Sequence, residues 1–280
     1  MLEFHTHTYR CKHAQGDIPD LARQAEQSGY TVLGISDHTP LPKDQDIEIR
    51  MSLNEVDNYI QAFHTAQEAH PSLKMLLGLE TEYFKEFEGF YKEELFGKWG
   101  MDYLIQAQHL FHCDGSLVYF WKEKPGADKK VLKAYAEAVV AGIESQIFSL
   151  LAHPDLFGVF YAPWDEETAA CSRYMIEAAQ AYNMPLEING NGFRKGITDI
   201  CGIKRFQYPL DPFWEIASGY DVKVLVNSDA HHPSELKPSV EGLALAEKYQ
   251  LKFAELSDIR LKEKKKAVKE GAISGAESQQ

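Results

Sequence analysis

Nothing in this chain approaches the roughly 20 consecutive apolar residues that span a bilayer. Its first residues run straight into a charged, histidine-rich segment and show no secretory apolar stretch. The expectation is a cytoplasmic protein with no membrane partner. Cysteine is scarce: Cys11, Cys113, Cys171 and Cys201 are widely spaced and form no C-x-x-C pair. A disulfide framework is therefore not expected in a chain this large. Basic residues are outnumbered, with 29 Lys and Arg against 42 Asp and Glu and a net charge of −13. Such a balance disfavours a nucleic-acid partner, whose phosphates it would repel. It leaves room for a small phosphate substrate, because part of the negative charge can be metal-ligand carboxylate. There is no internal repeat, low-complexity tract or linker. One domain over residues 1–270 is expected, with a small, polar, frayed tail at 271–280. The sequence carries no signature of oligomeric state.

What the chain does have is a rhythm of short apolar run, loop and helix. Runs are read at Leu2–His7, Tyr30–Ile35, Leu73–Leu79, Asp102–Ala107, Ile147–Ala152, Met184–Ile188 and Val222–Val226. Helices are expected at Asp17–Gly29, capped by Asp17, and at Ser52–Ala69, where Ser52 and Glu55 form a capping box. Further helices are read at Phe84–Phe96, Lys129–Glu144, Asp165–Tyr182 and Pro212–Ser218, then from Ser239 and again from Ser257. Phe111–Asp128 and Phe193–Tyr208 read as loops. Near-continuous apolar strands alternating with helices argue for a helix-covered parallel sheet. The expected fold is α/β, a distorted TIM-like (β/α) barrel with seven strands.

The opening run holds His5 and His7, which share a face if the backbone is extended. Alone the pair says little: with 11 histidines in the chain, a chance His-x-His has odds of roughly one in three. Position adds weight. His5, His7, His38, His109, His153 and His231 all fall at predicted strand ends, where chance would put about one or two. Barrels of this class carry their chemistry at that end. Asp37, Glu80, Asp155, Glu187 and Asp229 fall there too. Imidazole with carboxylate suits zinc, manganese or iron, and clustered ions clamp phosphoryl oxygens. His13 follows the opening pair and can fold back to it. Cys11 lies between His7 and His13 and draws notice for that place. Asp37 can orient a ligand histidine rather than bind metal. Glu187 can be buried and paired or face substrate. His64 and His70 read as solvated, His112 and His232 as neighbours of the site, and Phe157, Phe160, Tyr161 and Trp164 as packing.

Read together, these stretches resemble the polymerase-and-histidinol-phosphatase (PHP) family of metal-dependent phosphoesterases, and within it the histidinol-phosphate branch. The likeness rests on His5-Thr6-His7-Thr8, Cys11-Lys12-His13-Ala14-Gln15-Gly16 and Ser36-Asp37-His38-Thr39-Pro40-Leu41-Pro42. It continues through Gly78-Leu79-Glu80, His109, His153-Pro154-Asp155-Leu156, Glu187-Ile188-Asn189, Gly192-Phe193-Arg194-Lys195, Tyr208-Pro209 and Ser228-Asp229-Ala230-His231. It implies a seven-strand barrel holding three divalent ions (Zn, Mn or Fe). The first would take His5, His7, Glu80 and Asp229. Glu80 would bridge to a second, shared with His109 and His153. His13, His38 and His231 would hold the third. Phe4, Gln108 and Leu110 around His109, and the turn Asn189-Gly190-Asn191-Gly192 depart from the family's usual residues.

The implied activity is hydrolysis of a phosphate monoester, with L-histidinol phosphate, an intermediate of histidine biosynthesis, as substrate. Arg194 is expected to clamp phosphate. Lys195, Glu187 and Asn189 are expected beside substrate, and Lys204 and Arg205 are weaker candidates. Asp229 or His231 is expected to handle the leaving-group proton. Three other readings stay open: a phosphoesterase for a nucleotide or another small ester, a non-catalytic metal-binding module, and a hydrolytic deaminase or amidase barrel.

Overall fold

The structure, a computed structural model, describes residues 1–262. The expected end of the domain at residue 270 and the tail 271–280 lie outside the described residues. Eight parallel strands form one curled sheet in chain order: β1 (Leu2–Glu3), β2 (Val32–Ile35), β3 (Lys74–Thr81), β4 (Tyr103–Gln106), β5 (Leu150–Leu151), β6 (Leu186–Asn189), β7 (Lys223–Asn227) and β8 (Lys252–Phe253). All seven expected strands are present, and β8 is an addition. It pairs with the lower part of β7 through Lys223↔Lys252 and Val224↔Phe253. The sheet curls until its first and seventh strands meet. Just beyond β1, Thr6 bridges Ala230, and the His7 amide donates to the Ala230 carbonyl at 2.9 Å. Side chains close the seam below: Asn227 Oδ1 accepts from the Phe4 amide at 3.1 Å, and Glu3 from the Ser228 amide at 2.8 Å.

Helices α1 (Ile18–Gln27), α2 (Val56–Ala69), α3 (Lys129–Ser145), α4 (Glu166–Ala181), α5 (Gly190–Arg194), α6 (Asp211–Ala217) and α7 (Val240–Lys248) lie outside the strands. The expected caps at Asp17 and Ser52 are formed, each with its capping box. The expected helix at Phe84–Phe96 is instead a short 3-10 turn, Lys85–Phe87, followed by a π-helical stretch, Phe90–Lys98. From Ser257 onward no α-helix forms among the described residues; a 3-10 turn at Leu256–Asp258 stands there.

Strand alternation separates two apolar layers. Leu33, Ile35, Leu77, Leu79, Leu186 and Ile188 face outward, packed with α1–α4. Phe4, Leu76, Tyr103, Ile105, Leu150 and Leu225 fill the lumen. Tyr103 lies over Gly34 and Gly78, where an added Cβ would stand 2.1 Å and 2.3 Å from the tyrosine ring system. Its hydroxyl donates to the Phe4 carbonyl at 2.7 Å.

Both expected loops contain hairpins. Leu110–Cys113 pairs with Ser116–Tyr119, turning at Asp114-Gly115 with φ of 49° and 77°. Thr198–Ile200 pairs with Ile203–Arg205, turning at Cys201-Gly202 with φ of 53° and 85°. Two consecutive residues at positive φ make each a type I′ turn, which matches strand twist.

Candidate metal centre

The same alternation that places Leu76 and Gly78 inside the barrel carries Glu80 inward at the top of β3. Glu80 is 1% exposed, and five imidazoles surround it. His5 Nε2 lies 3.1 Å and His153 Nε2 3.0 Å from Oε1, with His109 Nε2 at 3.6 Å. His7 Nε2 lies 3.3 Å and His38 Nδ1 3.0 Å from Oε2. Asp229 closes the opposite side, with Oδ1 3.2 Å from His7 Nε2, 3.6 Å from His5 Nε2 and 3.3 Å from His231 Nδ1. His13 stacks on His231 at a centroid distance of 4.9 Å and lies 5.3 Å from His38. All nine residues expected as ligands are thus brought together.

Two nitrogens bound to one zinc in a tetrahedron sit roughly 3.4 Å apart, close to the separations here. Donor atoms within 4.8 Å of one another group as His5–Glu80–His153, His5–His7–Asp229, His7–His38–His231 and Cys11–His13–His231. His5 Nε2, His7 Nε2, Glu80 Oε2 and Asp229 Oδ1 are buried without a hydrogen-bond partner. Orphaned polar atoms cost roughly 1–3 kcal/mol each, and these four face a common centre. A cation there would satisfy all of them.

The electrostatics agree. Burial raises the Glu80 carboxyl, but His5, His38, His109 and His153 outweigh it and hold it well below the usual range. Asp229 is likewise held low by His5, His7 and His231 against its burial. Burial alone would make His7 less basic, yet Asp229 and Asp37 push it up to about 9. Burial and the positive His7 lower His231 to about 3. His38 falls to about 4, chiefly by burial. The centre therefore favours positive charge at its middle, with His38 and His231 held as neutral imidazoles beside it. Two donors also hold unusual backbone: His153 has φ of 28° and Asp229 φ of 48°, conformations that cost energy outside glycine and cluster at functional sites.

Beneath the donors lies a polar layer. Glu187, fully buried, accepts from His5 Nδ1 and Asn189 Nδ2 at 2.8 Å, Asn227 Nδ2 at 2.9 Å and the His153 amide at 3.0 Å. Asn189 also donates to Asp229 Oδ2 at 3.0 Å. Neither Glu187 nor Asn189 lines the cavity, so the expectation that they contact substrate is corrected: they hold His5, the His153 backbone and Asp229 from below. Asp37 accepts from the Thr8 amide at 3.1 Å and from the Thr8 hydroxyl, and it lies 3.6 Å from His7 Nδ1.

Above the donors opens a cavity of about 310 Å³. Phe120, Trp121, Ile49 and Leu156 give it apolar walls, and Glu48, Arg50, Asn191, Lys195 and Tyr208 add polar groups. Lys195 is solvent-accessible as a residue, but its ammonium lies against Tyr208 and donates to that hydroxyl at 2.8 Å. Burial lowers its pKa. Arg194 is placed differently from expectation. Its guanidinium donates to the carbonyls of Ser228 at 2.7 Å and Asp229 at 2.9 Å and pairs with Glu235 at 3.4 Å. It does not line the cavity; its donors hold the backbone that presents Asp229.

Arg205 donates to the carbonyls of Phe206, Gln207, Gly158, Tyr161 and Ala162. Lys204 is exposed on its hairpin. Asp155 accepts from the Leu210 amide and Trp214 Nε1, tying down the chain after Tyr208. His112 and His232 are exposed, and His70 pairs with Glu26 at 2.8 Å. Phe157, Phe160 and Tyr161 are buried packing. Several contributors were not anticipated: Glu3, Arg50, Glu82, Asn191 and Asn227. Asn227 was within reach of the strand-face argument, standing two residues before Asp229. The Arg50–Glu82 pair, at 3.2 Å, joins residues 32 positions apart and leaves no mark in the sequence.

The comparisons with known proteins agree with this geometry. A probable histidinol-phosphatase from Deinococcus radiodurans is 26% identical over 241 residues, covering 84% of this chain and 88% of the relative. The crystal structure of the putative histidinol phosphatase of Listeria monocytogenes superposes with a TM-score of 0.69 at 19% identity, covering 84% of this chain and 97% of that one. That of histidinol phosphate phosphatase from Lactococcus lactis, complexed with zinc, L-histidinol and phosphate, gives 0.66 at 15% identity, covering 94% and 98%. Residues 3–191 match the PHP domain, a span reaching from the Glu3 seam through the Glu80 centre to Asn191 at the cavity wall, and the chain belongs to the PHP domain family.

Proposed function

We propose that this chain is a metal-dependent phosphomonoesterase that converts L-histidinol phosphate to L-histidinol and inorganic phosphate, as a cytoplasmic enzyme of histidine biosynthesis. Residues 1–270 act as one barrel domain in this reading. The observation that carries it is Glu80, one carboxylate within 3.6 Å of five imidazoles at the floor of a cavity. The name of the Deinococcus relative and the ligands of the Lactococcus structure support the choice of substrate.

Three divalent ions (zinc, manganese or iron) would be held by this chain: one by His5, His7, Glu80 and Asp229, a second by Glu80, His109 and His153, and a third by His13, His38 and His231. Bound there, such ions make water nucleophilic near neutral pH and neutralise charge on phosphoryl oxygens. The protein's own groups do the rest. Glu187 holds His5 and the His153 backbone in place. Lys195, braced by Tyr208, offers the phosphoryl group a cationic donor from the cavity wall. Arg194 keeps Ser228 and Asp229 in position. Asp229 or His231, which share the cavity, would relay a proton from water to the departing alkoxide. Phe120 and Trp121 give the imidazole ring a flat apolar wall. Glu48 sets a negative charge at the mouth, which suits the substrate's ammonium.

Phosphate release from L-histidinol phosphate, beside nucleotides and sugar phosphates and with manganese or zinc supplied, tests the reading. The highest kcat/KM is expected on L-histidinol phosphate. A higher value on a nucleotide would refute the substrate while leaving the metal centre in place.

A further inference from the structure

One buried carboxylate beside the centre, which the proposed chemistry leaves unused, has two charged or metal-facing partners. Glu82 follows β3 immediately and is 1% exposed. Its Oε1 lies 3.1 Å from Nδ1 of His109 and 3.3 Å from Nη2 of Arg50, and its Oε2 lies 3.2 Å from Nη1 of Arg50. Arg50 is also 1% exposed and donates to the Thr39 carbonyl at 2.9 Å. It ends the segment whose Glu48 and Ile49 form the cavity rim. The other nitrogen of His109 faces Glu80 at 3.6 Å. One line of contacts therefore runs from Glu80 through His109 and Glu82 to Arg50 and the rim.

We propose that Glu82 is a positioning residue that couples metal occupancy at His109 to the ordering of the rim segment 42–50 around substrate. The inference rests on the reading of His109 as a metal ligand. A carboxylate accepting the Nδ1 proton fixes the tautomer and leaves Nε2 free to bind metal. The same carboxylate neutralises Arg50, whose burial would otherwise be unfavourable. Glu82 cannot shift to follow His109 without disturbing the Arg50 fork. Because linkage is reciprocal, metal at His109 steadies the rim, and substrate at the rim tightens the metal.

The test is deuterium exchange over residues 42–50 of the full chain with and without manganese, together with manganese titrations and steady-state kinetics. In the unaltered protein manganese is expected to slow exchange across this segment. Glu82→Gln should abolish that slowing and raise the manganese needed for half-maximal activity by about 10–100-fold. KM should rise more than kcat falls. Arg50→Lys, which keeps the charge and loses the fork, should retain only part of the manganese-dependent slowing. Should Glu82→Gln fail to fold, the double variant Glu82→Gln/Arg50→Met leaves no lone buried charge and carries the same readout. Manganese-dependent slowing in folded Glu82→Gln equal to that of the unaltered protein overturns the coupling. Unchanged manganese content in His109→Ala overturns the metal-ligand reading beneath it, so the two failures are distinguishable.

Discussion

The upper and lower halves of the same barrel strands are opposite in kind. Along β3, Leu76 and Gly78 belong to the apolar lumen, and two residues on Glu80 belongs to the donor cluster. Along β7 and just beyond it, Leu225 is lumen core, Asn227 braces Glu187, and Asp229 faces the imidazoles. Below, Phe4, Leu76, Tyr103, Ile105, Leu150 and Leu225 pack on one another. Above, buried nitrogens and oxygens face one another without hydrogen bonds. The lower half holds the barrel together, and the upper half spends part of that stability on chemistry.

If that division holds, substitutions in the two halves should affect different measurements. The largest effect is expected from Glu80→Gln, which removes the charge shared by five imidazoles. Activity should fall on the order of 10³-fold or more with loss of bound metal, while urea unfolding changes little. A parallel loss of stability would break the comparison. Tyr103→Ala should do the reverse, costing about 3–5 kcal/mol in urea unfolding while metal content in the folded fraction stays the same.

Glu3 lies at the boundary between the halves. Burial raises its pKa to about 7, against hydrogen bonds from the His5 and Ser228 amides. The native state therefore holds this proton where the unfolded chain has lost it, and stability from this group falls as pH rises from 4.5 to about 7. The loss is on the order of 3 kcal/mol. In metal-free protein, Glu3→Gln should flatten the stability curve across that window; equal slopes in both proteins would remove Glu3 from the boundary. The smallest effect is expected from Glu187→Gln, which weakens the support under His5. Metal affinity should drop about 10–100-fold by competition with a chelator, and an unchanged affinity would place Glu187 with the structural half.

Much of this was legible because a strand's period of two ties core positions to site positions. Seven apolar runs marked the strands, and the histidines and carboxylates at their ends marked the centre. The Asp114-Gly115 hairpin was read as loop, although Asp-Gly between alternating residues favours a type I′ turn. The Cys201-Gly202 turn was much harder to read, because cysteine gives no such signal. Arg194 was misread because a guanidinium suits carbonyls as well as phosphate, and only the fold decides which it meets. Glu82 escaped notice because its partners, Arg50 and His109, come from separate loops.

The Tyr103 ring over Gly34 and Gly78 has a kinetic consequence. Among the described residues, the lumen beneath the donors is filled by Tyr103 and its apolar neighbours. The cavity beside Trp121 is therefore the expected route for substrate and for both products. If the phosphoryl group sits against the donors at the cavity floor, phosphate should depart behind the alcohol, and inorganic phosphate is expected to inhibit competitively against substrate.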